Sequence, residues 1–166
     1  MGGDDAPEAL VEGAVAAVRA GADVVLVGDE PKLRALAGRR CPPIVHAPDV
    51  VAMDESPASI RKRPDVSVRR AMQLVRDGRA DAVVSCGSTG ATLFAAVLDL
   101  GTLDGAERPA IATLLPRRDG GRLVLGDAGA NVDCRPVLRG WLAQLGVAYA
   151  EVLGVDRPRV GLMSNV

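Results

Sequence analysis

Residues 82–91 constrain the fold most, because they join an apolar run, a glycine-containing turn and the start of a helical pattern. The apolar run predicts a buried strand that stops at Ser85, and the pattern after the turn predicts a helix over residues 88–100. Gly87 and Gly90 remove side chains where the backbone turns tightly or approaches a ligand. The N–H groups and dipole of such a helix start favour an anion, while the plainer interpretation is that glycine and serine only cap the helix.

The rest of the chain alternates short apolar runs with helical patterns. Strands are predicted over residues 23–28, 44–47 and 159–163, and helices over residues 31–37, 66–77 and 136–152, after a first helix that Asp4 or Asp5 caps and Gly21 ends. Residues 53–64 are predicted to form a loop with a short helical turn. The Asp119–Gly120 pair predicts a hairpin between residues 111–115 and 123–126. This alternation predicts an α/β fold whose sheet is mostly parallel and carries helices on both faces.

The composition suits one domain with an aliphatic core. The chain has 166 residues, 48% of them apolar, but its aromatic residues are only Phe94, Trp141 and Tyr149. A core of Val, Leu, Ile and Ala is typical of sheets that are covered on both faces. The scarcity of stacking side chains and the net charge of −1 argue against a nucleic-acid partner.

Cysteine and histidine usage argues against a metal site or a disulfide framework. Cys41, Cys86 and Cys134 are far apart, and His46 is the single histidine. This pattern predicts a reduced, cytoplasmic location. The longest uncharged run, residues 82–98, is shorter than the roughly 20 apolar residues that span a bilayer, and the first residues show no leader pattern.

Three glycine turns are the candidate binding elements: residues 2–4, 87–90 and 127–131. Ligands of open parallel sheets bind at the carboxyl ends of the strands, so we expect all three turns to face one crevice. Neither a Walker loop nor a dinucleotide fingerprint is present. The sequence therefore predicts an anion site without a nucleotide cofactor.

Five blocks carry a more specific signal in their order and spacing. They are MGGDDAP at residues 1–7, MDESP at residues 53–57 followed by Arg61 and Lys62, SCGSTGA at residues 85–91, ERP at residues 107–109 and DAGANVD at residues 127–133. Together they resemble the phosphate acyltransferases of bacterial phospholipid synthesis, the PlsX family. The second turn departs from that family's usual Ser-Ala-Gly-Asn-Thr-Gly, since Cys86 and Ser88 replace Ala and Asn.

The resemblance implies a fold similar to that of isocitrate and isopropylmalate dehydrogenases, a three-layer α/β/α sandwich without bound nicotinamide. It implies transfer of a fatty acyl group from acyl carrier protein to inorganic phosphate, without cofactor or metal. It also implies a homodimer and a peripheral membrane contact made by segments outside this chain. Residues 1–166 are then expected to form one incomplete domain that lacks the first strand and the second half. A phosphotransacetylase-like enzyme that uses coenzyme A and a non-catalytic phosphate- or carrier-binding module remain alternatives.

The expected site residues follow from the turns and the resemblance together. Phosphate or oxyanion contacts are expected from Gly2, Gly3, Ser85, Gly87, Ser88, Thr89, Gly90 and Gly129, with Arg61 and Lys62 as phosphate or carrier contacts. Asn131 is expected to donate a hydrogen bond, and Asp4, Asp127 and Asp133 to orient turns or a basic residue.

Each assignment has a structural alternative. Asp4 and Asp133 suit helix caps, Arg61 and Lys62 suit a solvated face, and Asn131 suits a left-handed turn. Cys86 at a helix start is either a packing residue or an acyl-accepting nucleophile.

Overall fold

A computed structural model describes residues 2–131 and 134–163. Its backbone contacts divide the chain into two compact units, Met1–Gly101 and Thr102–Val166. Among the described residues, no helix combines the length and the apolar composition that crossing a bilayer requires.

The first unit contains four helices and a two-stranded parallel sheet among its described residues. In chain order the elements are α1 Glu8–Arg19, β1 Leu26–Gly28, α2 Glu30–Ala37, β2 Ile44–His46, α3 Ser67–Arg76 and α4 Thr89–Asp99, with 3-10 turns at Gly38–Arg40 and Pro57–Lys62. Strands β1 and β2 pair in parallel, with Leu26 opposite Ile44 and Gly28 opposite His46. The loops that follow both strands therefore leave the sheet at the same edge.

The hydrophobic core of this unit packs α4 against the neighbouring elements. Six buried residues form it: Val51, Ile60, Val66, Met72, Ala91 and Ala95. Because they come from the loop after β2, the 3-10 turn, α3 and α4, burial of their apolar surface holds those elements together. An ion pair reinforces the packing of α3 on α4, since the Arg69 guanidinium donates two hydrogen bonds of 2.8 Å to the buried Asp99 carboxylate.

The second unit is a hairpin followed by a long helix. Strand β3, Ala112–Pro116, pairs antiparallel with β4, Arg122–Gly126. The Asp119 carboxylate accepts a hydrogen bond of 3.1 Å from Gly121 N–H, and Gly120 has φ +79°, a conformation that favours glycine. Helix α5, Pro136–Val152, has Pro136 at its first position, where no backbone donor is needed.

The local predictions are largely confirmed. The helices predicted over residues 31–37, 66–77, 88–100 and 136–152 are present as α2, α3, α4 and α5, the strand predicted over residues 44–47 as β2, and the hairpin and the 3-10 turn lie where expected. The α/β class is confirmed as well.

Three local predictions are wrong. Helix α1 has Pro7 at its N-cap and no side-chain cap, so neither Asp4 nor Asp5 has the predicted capping role. Residues 82–85 and 159–163 are not strands, because no backbone ladder pairs them within the described residues. Val84 is accordingly 90% exposed.

The predicted sheet also differs from the pairing observed. The first predicted strand is shortened from residues 23–28 to β1 alone, and the described residues form one two-stranded sheet in each unit. A strand exists only where neighbouring backbone groups pair with it, so apolar composition alone does not determine it.

Candidate functional site

Two of the three glycine turns meet in the first unit. A Cβ atom on Gly2 would lie 3.2 Å from Gly87 Cα, and one on Gly3 would lie 2.7 Å from the Cys86 carbonyl oxygen. Gly3 also has φ +115°, which side chains rarely adopt. The close approach of the two backbones therefore requires glycine at the first turn. That all three turns face one crevice stays a prediction.

The second of these turns presents backbone donors at the start of α4. Ser88 caps the helix, since its Oγ accepts a hydrogen bond of 3.4 Å from Ala91 N–H. Ser85 Oγ accepts a bond of 3.3 Å from Gly87 N–H. Within the described residues, the N–H groups of Ser88, Thr89 and Gly90 have no acceptor. The capping interpretation is thus correct for Ser88, and it leaves three donors that an anion would satisfy.

Gly90 is explained by packing. A Cβ atom there would lie 2.7 Å from Cγ of Pro57, whose ring is rigid. The absence of a side chain lets the start of α4 pack on the 3-10 turn Pro57–Lys62. Arg61 and Lys62 lie exposed at the end of that turn, as a solvated face would, and their contact with phosphate or a carrier stays a prediction.

The third turn, in the second unit, is organised by Asp127. Its carboxylate accepts hydrogen bonds from Ile111 N–H at 2.8 Å, from Asn131 N–H at 2.6 Å and from Asn131 Nδ2 at 2.8 Å. Asn131 Nδ2 also donates to the Pro109 carbonyl oxygen at 3.2 Å. Asp127 therefore orients the turn, which includes Gly129 at φ +90°.

These contacts bear on the predicted roles of the acidic and amide residues. Both amide hydrogens of Asn131 have protein acceptors, so a donor role toward substrate would need them to be redirected. Asp4 is exposed directly after Gly3, and its carboxylate has no hydrogen-bond partner among the described residues. Asp133 lies outside the described residues.

A cleft of about 260 Å³ borders the first glycine turn. It is lined by Gly2, Gly3, Ala6, Pro7, Lys32, Val50, Val51, Ala52 and Met53. Lys32 is on the helix after β1, and residues 50–53 follow β2, so the cleft lies at the carboxyl ends of these strands, where ligands of parallel sheets bind.

A larger cleft, about 350 Å³, lies at the opposite edge of the sheet. Its lining includes Val24 and Pro43, which precede β1 and β2. It is therefore remote from the glycine turns, and we do not assign it to the site. Within the described residues, no cluster of His, Cys, Asp or Glu is suited to hold a metal ion.

Arg63 fixes the wall of the smaller cleft. Its Nε donates to the Asp49 carboxylate at 2.8 Å, and its other nitrogens donate to Asp49, to Glu55 and to the Val50 carbonyl oxygen. The hydrogen bond from Arg63 lowers the pKa of Asp49, so this carboxylate stays charged. Because Asp49 and Glu55 flank residues 50–53, one guanidinium holds both ends of that segment.

The profile of the fatty acid synthesis protein family matches residues 1–165. The chain belongs to this family. The match covers all five blocks on which the resemblance was based and confirms it.

Curated relatives from this family are named phosphate acyltransferase. The one from Desulforudis audaxviator is 52% identical over 171 residues, which cover 99% of this chain and 50% of the relative. The one from Thermus thermophilus is 50% identical over 166 residues, 99% of this chain and 51% of the relative. The one from Myxococcus xanthus is 50% identical over 174 residues, 99% of this chain and 49% of the relative. The chain thus spans about half the length of the curated relatives it matches.

Sequence reasoning missed two residues of the candidate site, Lys32 and Arg63. Lys32 had a usable signal, since it occupies the first turn of the helix after β1, at the ligand-binding edge of a parallel sheet. No sequence signal distinguishes Arg63, because it is the last of three consecutive basic residues. The other two, Arg61 and Lys62, are exposed.

Proposed function

We propose that this chain forms the phosphate-binding part of an acyltransferase that moves a fatty acyl group from acyl carrier protein to inorganic phosphate. The observation that carries the proposal is the contact of Gly2 and Gly3 with Cys86 and Gly87, beside three N–H groups without acceptors among the described residues. The relatives' name, phosphate acyltransferase, supports the same reaction class.

The proposed reaction requires the substrates to be positioned and hydrogen-bond donors to stabilise negative charge. A phosphate oxygen attacks the thioester carbonyl carbon, a C–O bond forms, and the carbonyl oxygen becomes an oxyanion. The C–S bond then breaks, and the carrier thiolate leaves and takes up a proton. The backbone N–H groups of Ser88, Thr89 and Gly90 bind phosphate or the oxyanion, and loss of one such donor typically costs roughly 10²–10³ in rate.

In this proposal the side chains have supporting roles. Ser85 and Ser88 hold the turn, Asp127 and Asn131 hold the third turn, and Asp4 orients a basic group. Cys86 is exposed, so the predicted packing role is wrong. We propose no covalent role for its thiol, so replacing it with Ala is expected to leave activity intact. We further propose the three-layer isocitrate dehydrogenase-like sandwich for the whole enzyme, together with a homodimer, a cytoplasmic location and a peripheral membrane contact.

The test uses a chimaera in which this chain replaces the matching half of the Thermus thermophilus relative, to which it is 50% identical. Release of carrier thiol from an acyl carrier substrate is measured with and without phosphate. We expect release that requires phosphate and prefers the carrier over coenzyme A. A folded chimaera without phosphate-dependent release overturns the proposal, and preference for short acyl-coenzyme A substrates identifies a phosphotransacetylase instead.

A further inference from the structure

Among the residues that line the cleft beside the first glycine turn, one is charged and the others are glycine or have apolar side chains. Lys32 is the charged member, and Val50, Val51, Ala52 and Met53 form one continuous wall. Among the described residues, no carboxylate forms an ion pair with the Lys32 ammonium group. A cation next to an apolar wall suits a ligand that has an anionic head and an aliphatic tail.

The cleft is larger than phosphate alone needs. Its volume of about 260 Å³ is roughly nine times the share of one water molecule in the liquid. Gly2 and Gly3 line it and also contact the turn at Gly87 that carries the proposed phosphate donors. When the anionic head of a ligand lies at that turn, the atoms attached to the head therefore lie close to the apolar wall.

The wall is a built feature of the structure. Val51 is 7% exposed and belongs to the core, which anchors the middle of the segment. Arg63 bonds Asp49 and Glu55 on either side of it. Met53 is 56% exposed, and its flexible thioether adapts to chains of different shape.

We propose that this cleft seats the first methylenes of a linear acyl chain, with Lys32 beside the phosphate of the acyl phosphate. This inference rests on the proposed function and names the acyl subsite within it. Met53 and Ala52 are then binding residues for the tail, and Arg63 is a positioning residue that acts through the wall.

The test compares two ligands that share a head and differ in the tail. Methylphosphonate and octylphosphonate are titrated into the full chain by calorimetry. Each buried methylene is expected to tighten binding about fourfold, so octylphosphonate should bind at least about tenfold tighter than methylphosphonate. Lys32→Gln should weaken both ligands by a similar factor.

A substitution that fills the cleft tests where the octyl tail binds. Ala52→Trp should bring the octyl-to-methyl affinity ratio close to one while methylphosphonate affinity is retained. Ala58→Trp, at a position that does not line the cleft, is the matched control and should keep the ratio.

The outcomes separate this inference from the proposed function. Equal affinity for the two phosphonates, a ratio that Ala52→Trp leaves unchanged, or binding of neither phosphonate overturns the acyl subsite. The phosphate dependence of the chimaera decides the proposed function independently.

Discussion

Gly3 faces two restrictions at once, a positive φ and a backbone oxygen where a side chain would lie. Gly13, in the middle of α1, faces neither, since a Cβ atom there would have nothing within 4 Å. The same chemical change at the two positions therefore separates a glycine required by the site from one that the helix merely tolerates.

Gly3→Ala is expected to lower the free energy of unfolding by more than about 2 kcal/mol, because it combines a left-handed Ala with a steric clash. Gly13→Ala should raise it by about 1 kcal/mol through better helix propensity. Urea denaturation followed by circular dichroism measures both. Equal effects of the two substitutions would mean that the contact between Gly3 and Cys86 does not constrain the backbone.

At the scale of elements, the start of α4 combines two roles in one position. The Ser88 side chain caps the helix, and the N–H groups next to it are the proposed anion donors. A substitution that keeps the cap but adds negative charge therefore separates stability from binding.

Ser88→Asp should leave the free energy of unfolding within about 0.5 kcal/mol of wild type, because Asp caps as well as Ser. It should weaken phosphate binding at least about tenfold by repulsion, whereas Ser88→Ala loses about 1 kcal/mol of stability and keeps the backbone donors. Phosphate titration followed by calorimetry tests this. Ala16→Asp, at an exposed position of α1, is the matched charge control; an equal loss of affinity there would point to a general charge effect.

The helices and strands show which parts of the fold could be predicted from the sequence. Helices α2 to α5 have local periodicity and local stop signals, so their residues alone predict them. The Asp119–Gly120 turn is equally local. Residues 82–85 and 159–163 have strand composition, but pairing is a long-range property that composition does not encode.

In the candidate site, too, some features could be predicted from the sequence and others depend on contacts between distant residues. All three glycine turns were predicted to face one crevice at the carboxyl ends of strands. The first two lie in contact, although residues 82–85 form no strand. The hydrogen bonds of Arg63 join residues 8 to 14 positions away, and only the folded loop reveals them. The ion pair of Arg69 with Asp99 is more distant still and has no local signal.

At the scale of the whole molecule, Asp99 makes stability depend on pH. Burial raises its pKa, but hydrogen bonds from Arg69 and Gln73 outweigh this, and the pKa is lowered. A depressed pKa in the folded state means that the stabilisation is complete above the unfolded pKa of about 3.9 and is lost as pH falls through the folded value.

Asp99→Asn should therefore lower the free energy of unfolding by about 3 kcal/mol at pH 7, because it leaves the Arg69 charge without its partner. The variant should also lose less stability than wild type between about pH 4 and pH 2. Thermal melts across this range measure both effects. Asp81→Asn, at an exposed position, is the control. If Asp99→Asn changes the free energy of unfolding no more than Asp81→Asn does, the ion pair of Arg69 with Asp99 does not stabilise the fold.

The contact of Gly3 with Cys86 has a kinetic consequence. It closes a loop of roughly eighty residues, and closing a loop of that length is entropically costly, so such contacts form late. The proposed anion site is therefore expected to be complete only after the helices between its two halves have docked. If phosphate binds at this proposed site, we expect it to slow opening of the first unit and to protect the amides of α1 and α4 together from solvent hydrogen exchange.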